Sequence, residues 1–528
     1  MHPKLSANPI LTVAIFVAAS CALACAQTQV QTTAGAIAGS TENGILSFKG
    51  IPFAMPPVGD LRWRSPQPLV SWQGIRKATD FGPSCIQVKA GERLPWTKEF
   101  MVQNQISEDC LYLNIWTPKV SADAKLPVIV FIHGGGFNEG SGAIEVYRGD
   151  NLAAKGVVLV TINYRVGVLG FLAHPELTAE SEHHASGNYG LSDQIAALKW
   201  VNANIAKFGG DPLRVTIWGQ SAGAFSVAAM VASPLAAGLF QQSQADSGLG
   251  VTSIPMLSLK DAEQGGVKFA QQHHAATIKE LRALPAEALV ADPSVGTTPA
   301  SIRFSPIIDG WVLPDSPDNM NAKGSDNDVA VITGYQAGDS ALFNPTFKSL
   351  DEYNQMIQKR YGEMAAEYEK LYPVSNMDEV KAVVALSGQE RSRVSGFLWA
   401  CARLKSHRQP VFTYYFDRGI PWPQHPEFGA FHTGEIPYFF LNLKLIDRPW
   451  EQIDFTLANT VSTYLINYAT HGDPNGNGVP PWPKIDPSQP QTMELGARTG
   501  VMPLASKEKI DFWTRYFNSP ISRSASPF

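Results

Sequence analysis

The pentapeptide GQSAG, Gly219–Gly223, contains the residue types that a serine nucleophile requires. Ser221 stands between two glycines, with the strand-like VTIW before it and a helix-like run of small residues after it. In a strand–turn–helix context, G-x-S-x-G is a nucleophile elbow, whose tight turn leaves little room for flanking side chains. We therefore predict that Ser221 lies at the carboxyl end of a strand, where ligands bind in open α/β sheets.

A second glycine-rich segment, HGGGF at His133–Phe137, follows an apolar run. Consecutive glycines let backbone N–H groups approach a ligand, and acyl transfer needs such donors for the oxyanion that develops on the carbonyl oxygen. We predict that Gly135, Gly136 and the amide of Ala222 form this oxyanion hole. The alternative is an ordinary glycine turn, which would be the better interpretation if Ser221 did not follow.

A serine nucleophile needs a base that takes its proton. In this arrangement the chain order is serine, acid, histidine, so the base must lie well downstream of Ser221. His432 is the predicted base, because it stands in the glycine-bracketed loop GAFHTGEIPYFF. The other downstream histidines are assigned to a helix face, a surface-like loop and a turn, respectively: His407, His425 and His471.

The acid that orients the imidazole is predicted to be Asp339. It follows the strand-like segment Val329–Thr333 and sits at a loop entrance, which is a suitable place to hold a histidine tautomer. Two other carboxylates compete for the role. Asp309 lies in PIIDG, and Glu435 is close to the predicted base.

The elements around these residues alternate between strands and helices. The continuous apolar runs Val128–Ile132 and Val157–Arg165 are typical of a parallel sheet that is covered on both faces. A helix with apolar residues at three- and four-residue spacing follows and ends at Gly209–Gly210. The pattern predicts an α/β fold with a large, mostly parallel central sheet and helices on both faces.

The remaining segments are predicted to belong to the same domain, residues 27–528. The first hundred residues contain short alternating runs and many prolines, and are predicted to form an antiparallel edge of the sheet. Residues 255–300 and 350–405 are helix-rich and lack linker composition at their borders. They are interpreted as helical insertions.

Composition excludes several classes of protein. The chain has 528 residues, 44% hydrophobic and 17% charged, which is not the composition of a disordered protein. The net charge is −5 and no basic face is evident, so no nucleic-acid partner is expected. The adjacent pairs His183–His184 and His273–His274 do not share a helix face, and metal and nucleotide motifs are missing from the sequence. No metal or cofactor is expected.

The N-terminus has the pattern of a secretory signal peptide. No charged residue occurs between Lys4 and Glu42, and the largely apolar Ile10–Ala19 precedes CALACAQ. We predict export after cleavage at Ala26, and no stable membrane insertion. The alternatives are a membrane anchor, for which the apolar stretch is short, and a lipoprotein attached through Cys25.

Cleavage would leave three cysteines, Cys85, Cys110 and Cys401. An oxidising compartment permits a disulfide. Three pairings are possible, of which Cys85–Cys110 closes the shortest loop. Cys401 lies four residues after Phe397, at helical spacing, and is predicted to be a buried core thiol.

Taken together, these motifs resemble the type-B carboxylesterases, the α/β-hydrolase group that includes cholinesterases and bacterial para-nitrobenzyl esterases. The resemblance covers nearly the whole chain after the signal peptide. The matching segments, in order, are FKGIPFAMPPVGDLRW, SEDCLYLNIWTP, HGGGF, GNYGLSDQIAALKWVNANIAKFGGDP, VTIWGQSAGA, GAFHTGEIPYFF and TYLINYATHGDPNG.

The resemblance implies an α/β-hydrolase fold and hydrolysis of carboxylic esters, with Ser221 as nucleophile and His432 as base. It also implies the oxyanion hole named above, a Cys85–Cys110 disulfide, and a serine that supports the acid and base, matched by Ser247 in QADSG.

One segment departs from the family pattern. The family usually has a glutamate in G-x-N-x-D-E-G, whereas this chain reads GYQAGDS, with Asp339 at the glutamate position. Gly338 stands at the aspartate position and Ser340 at the final glycine. Aspartate is one methylene shorter than glutamate, so it must approach His432 through a small backbone shift.

The sequence thus predicts an exported serine esterase that acts on small-molecule esters through an acyl-enzyme. A non-catalytic binding module is the rival from another class, because some relatives of the family are adhesion proteins that lack catalytic residues. Amide hydrolysis would use the same residues. Trp96 and Phe100, which lie between Cys85 and Cys110, are candidates for lining the entrance of the site. The sequence defines neither the ester nor the oligomeric state.

Overall fold

An eleven-stranded mixed sheet forms the centre of the protein in the computed structural model. The structure describes residues 29–42, 44–89, 91–251, 256–290, 302–339 and 346–524. The predicted signal peptide, residues 1–26, lies outside the described residues. In chain order the strands are β1 (Gln29–Gln31), β2 (Ala36–Ala38), β3 (Ser40–Glu42), β4 (Ile45–Pro52), β5 (Ile75–Lys77), β6 (Ser84–Cys85), β7 (Ile106–Ser107), β8 (Tyr112–Thr117), β9 (Leu126–Ile132), β10 (Val158–Ile162), β11 (Gly210–Gln220), β12 (Gln242–Asp246), β13 (Ala330–Gln336), β14 (Val411–Phe416), β15 (Gln491–Leu495) and β16 (Thr499–Pro503).

The strand order across the central sheet is β16-β15-β14-β13-β12-β11-β9-β10-β8-β4-β3. The strands from β15 to β10 in this order pair in parallel. The outer strands pair antiparallel, with β16 at one edge and β8, β4 and β3 at the other. The predicted mostly parallel sheet with an antiparallel edge from the early chain is therefore confirmed.

Side chains of the central strands alternate between two apolar cores, one on each face of the sheet. In β9, Val128, Val130 and Ile132 belong to one core, while Ile129 and Phe131 belong to the other. All five are fully buried. This alternation follows from the two-residue period of a strand, and it explains why the strand has no polar residue.

Helices cover both faces of the sheet and build the predicted insertions. In chain order the α-helices are Asp150–Ala153, Gly167–Phe171, Pro175–Glu180, Tyr189–Asn204, Ala222–Ala232, Leu259–Gln272, Ile278–Arg282, Ala286–Val290, Pro317–Lys323, Leu350–Tyr361, Ala365–Leu371, Met377–Arg403, Ile436–Phe439, Gln452–His471, Lys507–Asn518 and Pro520–Ser524. Within the described ranges, no helix combines the length and apolar composition needed to cross a membrane.

Two features of the early chain were not predicted. Strands β1, β2 and β5 form a separate three-stranded sheet, so only part of the first hundred residues joins the central sheet. Strands β6 and β7 form a two-stranded parallel ladder, which pairs Ser84–Cys85 with Ile106–Ser107 shortly before Cys110. These strands are two or three residues long, which is too short for a hydrophobic period to be visible in the sequence.

Candidate active site

Ser221 lies in the turn between β11 and the helix Ala222–Ala232. Its backbone has φ 57° and ψ −123°, a conformation that non-glycine residues rarely adopt. A Cβ added at Gly219 would lie 2.3 Å from the carbonyl oxygen of Gly223, and one at Gly223 would lie 2.0 Å from that of Ile132. Backbone atoms cannot move out of the way cheaply, so both flanking positions require glycine.

His432 and Asp339 meet beside this turn. The imidazole Nδ1 is 2.7 Å from Asp339 Oδ1, and the backbone N–H of Gln336 donates to Asp339 Oδ2 at 2.8 Å. The shorter aspartate side chain reaches the histidine because the two loops run close together. The N–H of Gly338 donates to the carbonyl of Ala430, and a Cβ at Gly338 would be 2.5 Å from that oxygen.

The imidazole also contacts the residue that precedes Ser221. Gln220 Nε2 lies 3.4 Å from each ring nitrogen of His432. A neutral imidazole carries one proton. If Nδ1 holds that proton and donates it to Asp339, Nε2 is the nitrogen that can accept a proton from a neighbouring hydroxyl. The geometry therefore brings Asp339 and His432 to the nucleophile elbow, with His432 in contact with Asp339 on one side and with Gln220 of the elbow on the other.

The glycine-rich loop packs directly on the elbow. A Cβ at Gly134 would be 2.8 Å from the carbonyl oxygen of Gln220 and 3.1 Å from Ser221 Cβ. Gly135 and Gly136 both have positive φ, 111° and 61°. A side chain at Gly135 would collide with the carbonyl oxygen of Glu139, 2.1 Å away. The triple glycine is thus needed for this approach.

His133 fixes the start of the glycine loop as a neutral side chain. Burial lowers the pKa of His133 to about 4, so the ring is uncharged at neutral pH. Its Nδ1 lies 2.8 Å from the carbonyl oxygen of Gly134, and its ring stacks on Tyr164 at 4.3 Å between centroids. The Tyr164 hydroxyl donates to the His133 carbonyl at 2.9 Å.

The two competing carboxylates do not contact His432 in the structure. Asp309 Oδ1 accepts from the backbone N–H groups of Trp311 and Leu313, at 3.1 and 2.8 Å, and thereby closes its own turn. Glu435 is fully buried, and within the described chain neither of its carboxyl oxygens has a hydrogen-bond partner. The geometry favours Asp339 over both.

A buried acidic pair lies beneath the site. Burial, together with the charges of Asp246 and Asp339, holds the pKa of Glu435 well above its usual range. Burial also raises the pKa of Asp246 to about 6, although Trp218 Nε1 and Gln244 Nε2 donate to this carboxylate. Burial and these neighbouring charges therefore disfavour the ionised form of Glu435, whereas a residue that stabilises an imidazolium through its charge must be ionised.

Ser247 lies near this group but contacts a different residue from the one implied by the resemblance. Its backbone φ is 61°, and Gln336 Nε2 donates to its hydroxyl at 3.4 Å. Gln336 in turn donates its backbone N–H to Asp339. Among the described residues, Gln336 thus links Ser247 to the acid, and the sequence did not single out this glutamine.

The other downstream histidines lie elsewhere. His407 is not on a helix face, because the helix ends at Arg403. It is buried instead, with Nε2 2.8 Å from Asp326 Oδ1. His425 is in a loop beside Glu427, as predicted, and His471 is the last residue of the helix Gln452–His471.

The predicted disulfide between Cys85 and Cys110 is present. Cys401 has a free thiol and packs against one core of the sheet, but it is only partly buried. The prediction of a buried core thiol is thus correct for its place against the core and wrong for its degree of burial. The partial burial nevertheless raises the pKa of Cys401 to about 11. Phe100 is buried against Phe431 and does not line an entrance.

Trp96 is partly exposed, and its indole N–H donates to the hydroxyl of Thr433 at 2.8 Å. This contact joins the segment between Cys85 and Cys110 to the residue that follows His432. Thr433 is not predictable from the sequence, because a threonine in a loop carries no pattern that indicates such a contact.

Comparison with known proteins agrees with the fold and the motifs. A family model described as the carboxylesterase family matches residues 26–513. The chain is 38% identical to fumonisin B1 esterase of Sphingopyxis macrogoltabida, over 89% of this chain and 86% of the relative. It is 33% identical to para-nitrobenzyl esterase of Bacillus subtilis, over 88% and 94% of the two chains.

Solved structures give the same result. A structure of a PNB esterase superposes with a TM-score of 0.79 and 30% sequence identity, covering 92% of this chain and 99% of that one. The relatives and the solved structure compared with this chain are esterases by name. The sheet and helices described above form the α/β-hydrolase fold. The chain belongs to the carboxylesterase family and is a carboxylic ester hydrolase.

Proposed function

We propose that the protein is a secreted serine carboxylesterase that works through an acyl-enzyme, with Ser221, His432 and Asp339 as its catalytic residues. The observation that carries this proposal is the 2.7 Å contact between His432 Nδ1 and Asp339 Oδ1, beside a serine in a nucleophile elbow.

In the first half of the reaction, Ser221 Oγ attacks the ester carbonyl carbon while His432 Nε2 takes the hydroxyl proton. The carbonyl oxygen becomes an oxyanion, which accepts hydrogen bonds from the amides of Gly135, Gly136 and Ala222. The intermediate collapses as the bond to the alcohol oxygen breaks. His432 returns its proton to that oxygen, and the alcohol leaves.

In the second half, water attacks the acyl-enzyme and gives one proton to His432. Collapse of this second tetrahedral intermediate breaks the bond to Ser221 Oγ, which recovers the proton, and the carboxylic acid is released. Asp339 keeps its charge throughout. Its role is to hold the Nδ1–H tautomer and to stabilise the imidazolium.

The test of the nucleophile is a burst of p-nitrophenol from p-nitrophenyl butyrate, followed by the variant Ser221→Ala. We expect the burst to disappear and the variant to retain less than a few per cent of the activity. Ser71→Ala is the matched control, because it changes an exposed serine that lies far before Ser221 in the sequence, and it should behave as wild type. Retention of substantial activity in Ser221→Ala would contradict the proposed nucleophile.

The catalytic residues also discriminate an esterase from a non-catalytic binding module. A fluorophosphonate probe reacts with an activated serine and releases fluoride, so it should label the wild type and not Ser221→Ala. Failure of the wild type to label would favour the binding-module alternative. The same preparation, tested against p-nitroanilide substrates, would show whether amides are also cleaved.

The substrate class requires a panel of esters. It should contain short acyl, long acyl, hydroxycinnamoyl, gallate and polycarboxylate esters, together with fumonisin B1, for which one relative is named. The preferred ester is the one with the largest kcat/KM, because that ratio measures discrimination between competing substrates.

Export is the remaining part of the proposal. It is supported by the sequence of residues 1–26 and is compatible with the Cys85–Cys110 disulfide, since disulfides persist in oxidising compartments. Intact-mass measurement of the protein from the producing cells should give a chain that begins at Gln27. Ala24→Leu, which enlarges the small residue near the cleavage site, should leave the precursor uncut. A lipid-modified mass at Cys25 would instead indicate the lipoprotein alternative.

A further inference from the structure

The segment between Cys85 and Cys110 contacts both loops of the candidate active site. Gln87, which is buried, joins this segment to Gly140, three residues after the glycine-rich loop, through a pair of hydrogen bonds. Its Nε2 donates to the carbonyl of Gly140 at 2.9 Å, and its Oε1 accepts from the N–H of Gly140 at 2.8 Å. Arg93 also forms an ion pair with Glu139.

The same segment contacts the residues on either side of His432. Trp96 Nε1 donates to Thr433 Oγ1 at 2.8 Å. Phe100 packs on Phe431 in an edge-to-face arrangement, with ring centroids 5.9 Å apart. His432 is therefore bracketed by two contacts, one polar and one apolar, from a part of the chain more than 300 residues earlier.

Thr433 has an unusual backbone conformation. Its φ is 79°, in the left-handed region that β-branched residues rarely occupy. Such a conformation persists only where the surroundings hold it. The hydrogen bond from Trp96 is a contact that holds Thr433 in place, and a relaxed Thr433 would change the direction in which the chain leaves His432.

Trp96 is itself held in a small turn. The backbone N–H of Trp96 donates to the carbonyl of Arg93 at 2.8 Å, and the backbone N–H of Arg93 donates to the carbonyl of Trp96 at 3.2 Å. The Arg93 guanidinium lies over the indole ring, 5.4 Å from its centroid. One turn, Arg93–Trp96, thus contacts Glu139 after the glycine loop and Thr433 after the histidine.

We propose that Trp96 is a positioning residue, which orients His432 through its hydrogen bond to Thr433 and fixes the distance between the histidine loop and the oxyanion loop. This inference rests on the proposed function, because it assumes that His432 is the base. Trp96 acts through Thr433 and does not itself take part in proton transfer.

The test compares two variants that remove the hydrogen bond with one that keeps it. Trp96→Phe removes the indole N–H and keeps an aromatic ring, and Thr433→Val removes the hydroxyl but keeps the shape. Each should lower kcat on p-nitrophenyl butyrate by roughly tenfold, with little change in KM, because a displaced base affects the chemical step. Thr433→Ser keeps the hydroxyl and should restore most of the rate.

A double variant and a matched control complete the experiment. Trp96→Phe combined with Thr433→Val should be no slower than either single variant, since both remove the same contact. Trp72→Phe is the control, because it removes an indole hydrogen bond, to the carbonyl of Ala36, in the separate three-stranded sheet. It should leave kcat unchanged.

Three results would overturn the inference. One is a kcat for Trp96→Phe equal to that of the control, and another is a Thr433→Ser variant as slow as Thr433→Val. The third is a raised KM with unchanged kcat, which would make Trp96 a substrate contact. Activity of Ser221→Ala separates the two proposals, because it tests the nucleophile without touching the Trp96 hydrogen bond. If Thr433→Val unfolds, Trp96→Phe with Thr433→Ser still decides.

Discussion

The two halves of the candidate active site are built in different ways. The half that contains Ser221 is formed by neighbours in sequence, Gly219–Gly223, and by the glycine loop that packs on them. The half that contains His432 is formed by distant parts of the chain. Asp339 lies 93 residues before the histidine, and the contact between Trp96 and Thr433 spans 337 residues.

The difference determines how each half responds to substitution. In the elbow, the constraints are backbone oxygens 2.0 to 2.8 Å from where a Cβ would lie, so a single methyl group meets an obstacle that cannot rotate away. In the histidine half, the constraints are hydrogen bonds between side chains, which can be removed one at a time. We therefore expect glycine substitutions in the elbow to lower the melting temperature, and substitutions in the histidine half to lower kcat while the protein stays folded.

Within the histidine half, the largest effect on rate is expected at Asp339. Asp339→Asn presents an amide to His432 Nδ1, which favours the wrong tautomer and removes the charge that stabilises the imidazolium. We expect kcat to fall by about 10⁴-fold, with little change in the melting temperature. Steady-state kinetics with p-nitrophenyl butyrate and a thermal melt measure the two quantities.

Asp309→Asn is the matched control for this prediction. Asp309 accepts backbone hydrogen bonds in its own turn, from Trp311 and Leu313, so its substitution should affect stability more than rate. An Asp339→Asn variant with wild-type kcat would transfer the role of the acid to another carboxylate, and would remove the basis for treating the two halves as one site.

The disulfide between Cys85 and Cys110 bears on stability in the histidine half. Its ends are separated by 25 residues, for which the chain-entropy model gives a stabilisation of about 3.5 kcal/mol. Cys85→Ser combined with Cys110→Ser should lower the urea midpoint accordingly. The Gln87 and Trp96 hydrogen bonds do not depend on the sulfur atoms, so kcat of the folded variant should stay near that of the wild type.

Cys401→Ser is the control, since it removes a thiol that forms no disulfide. A double cysteine variant that loses kcat as Trp96→Phe does, but keeps its urea midpoint, would show that the disulfide itself orients the segment.

The elbow is tested by Gly223→Ala. The added Cβ would lie 2.0 Å from the carbonyl oxygen of Ile132, which belongs to the central strand β9. Overpacking of this kind costs about 1–3 kcal/mol or more, so the melting temperature should fall together with the activity. Gly500→Ala, at a position where a Cβ meets nothing within 4 Å, should change neither. Loss of activity at an unchanged melting temperature would mean that a substitution in the elbow, like one in the histidine half, acts on kcat and not on stability.

These differences also explain what the sequence could and could not predict. The elbow and the glycine loop are contiguous motifs, so their residues and their roles in the fold were predictable from local pattern. The central strands were predictable because both faces are buried and the runs are wholly apolar, as in Val128–Ile132. The place of Asp339 after a strand favours it as the acid, and in the structure its Oδ1 lies 2.7 Å from His432 Nδ1.

The residues that were missed depend on tertiary contacts. Gln336 and Thr433 are ordinary polar residues until the fold brings them to Ser247 and Trp96. His407 was assigned to a helix face because Lys405 and Arg408 flank it, yet Asp326 draws it into the interior. The periodicity of a short segment cannot predict a contact with a residue that lies about 80 positions away or more in the sequence.

The smallest effect is expected at Glu435, beneath the histidine half. Burial and the charges of nearby carboxylates raise its folded pKa above the unfolded value, so the folded state holds this proton more tightly than the unfolded state does. The stability that this carboxyl contributes is complete below its unfolded pKa and is lost as the pH rises through the folded value. Asp246, whose pKa is raised to about 6, adds a second decline of the same sign.

Glu435→Gln replaces the carboxyl group with an amide of the same shape that cannot ionise. Because His432 Nδ1 contacts Asp339 and not Glu435, activity at pH 7 should remain close to that of the wild type. Because glutamine does not ionise, the fall in melting temperature between pH 5 and pH 8 should become shallower than in the wild type. It should not vanish, since Asp246 still titrates. Glu427→Gln, which changes an exposed carboxylate, should leave the slope unaltered. An inactive Glu435→Gln variant would mean that the histidine half needs a charge at this position. His432 would then depend on a second carboxylate besides Asp339.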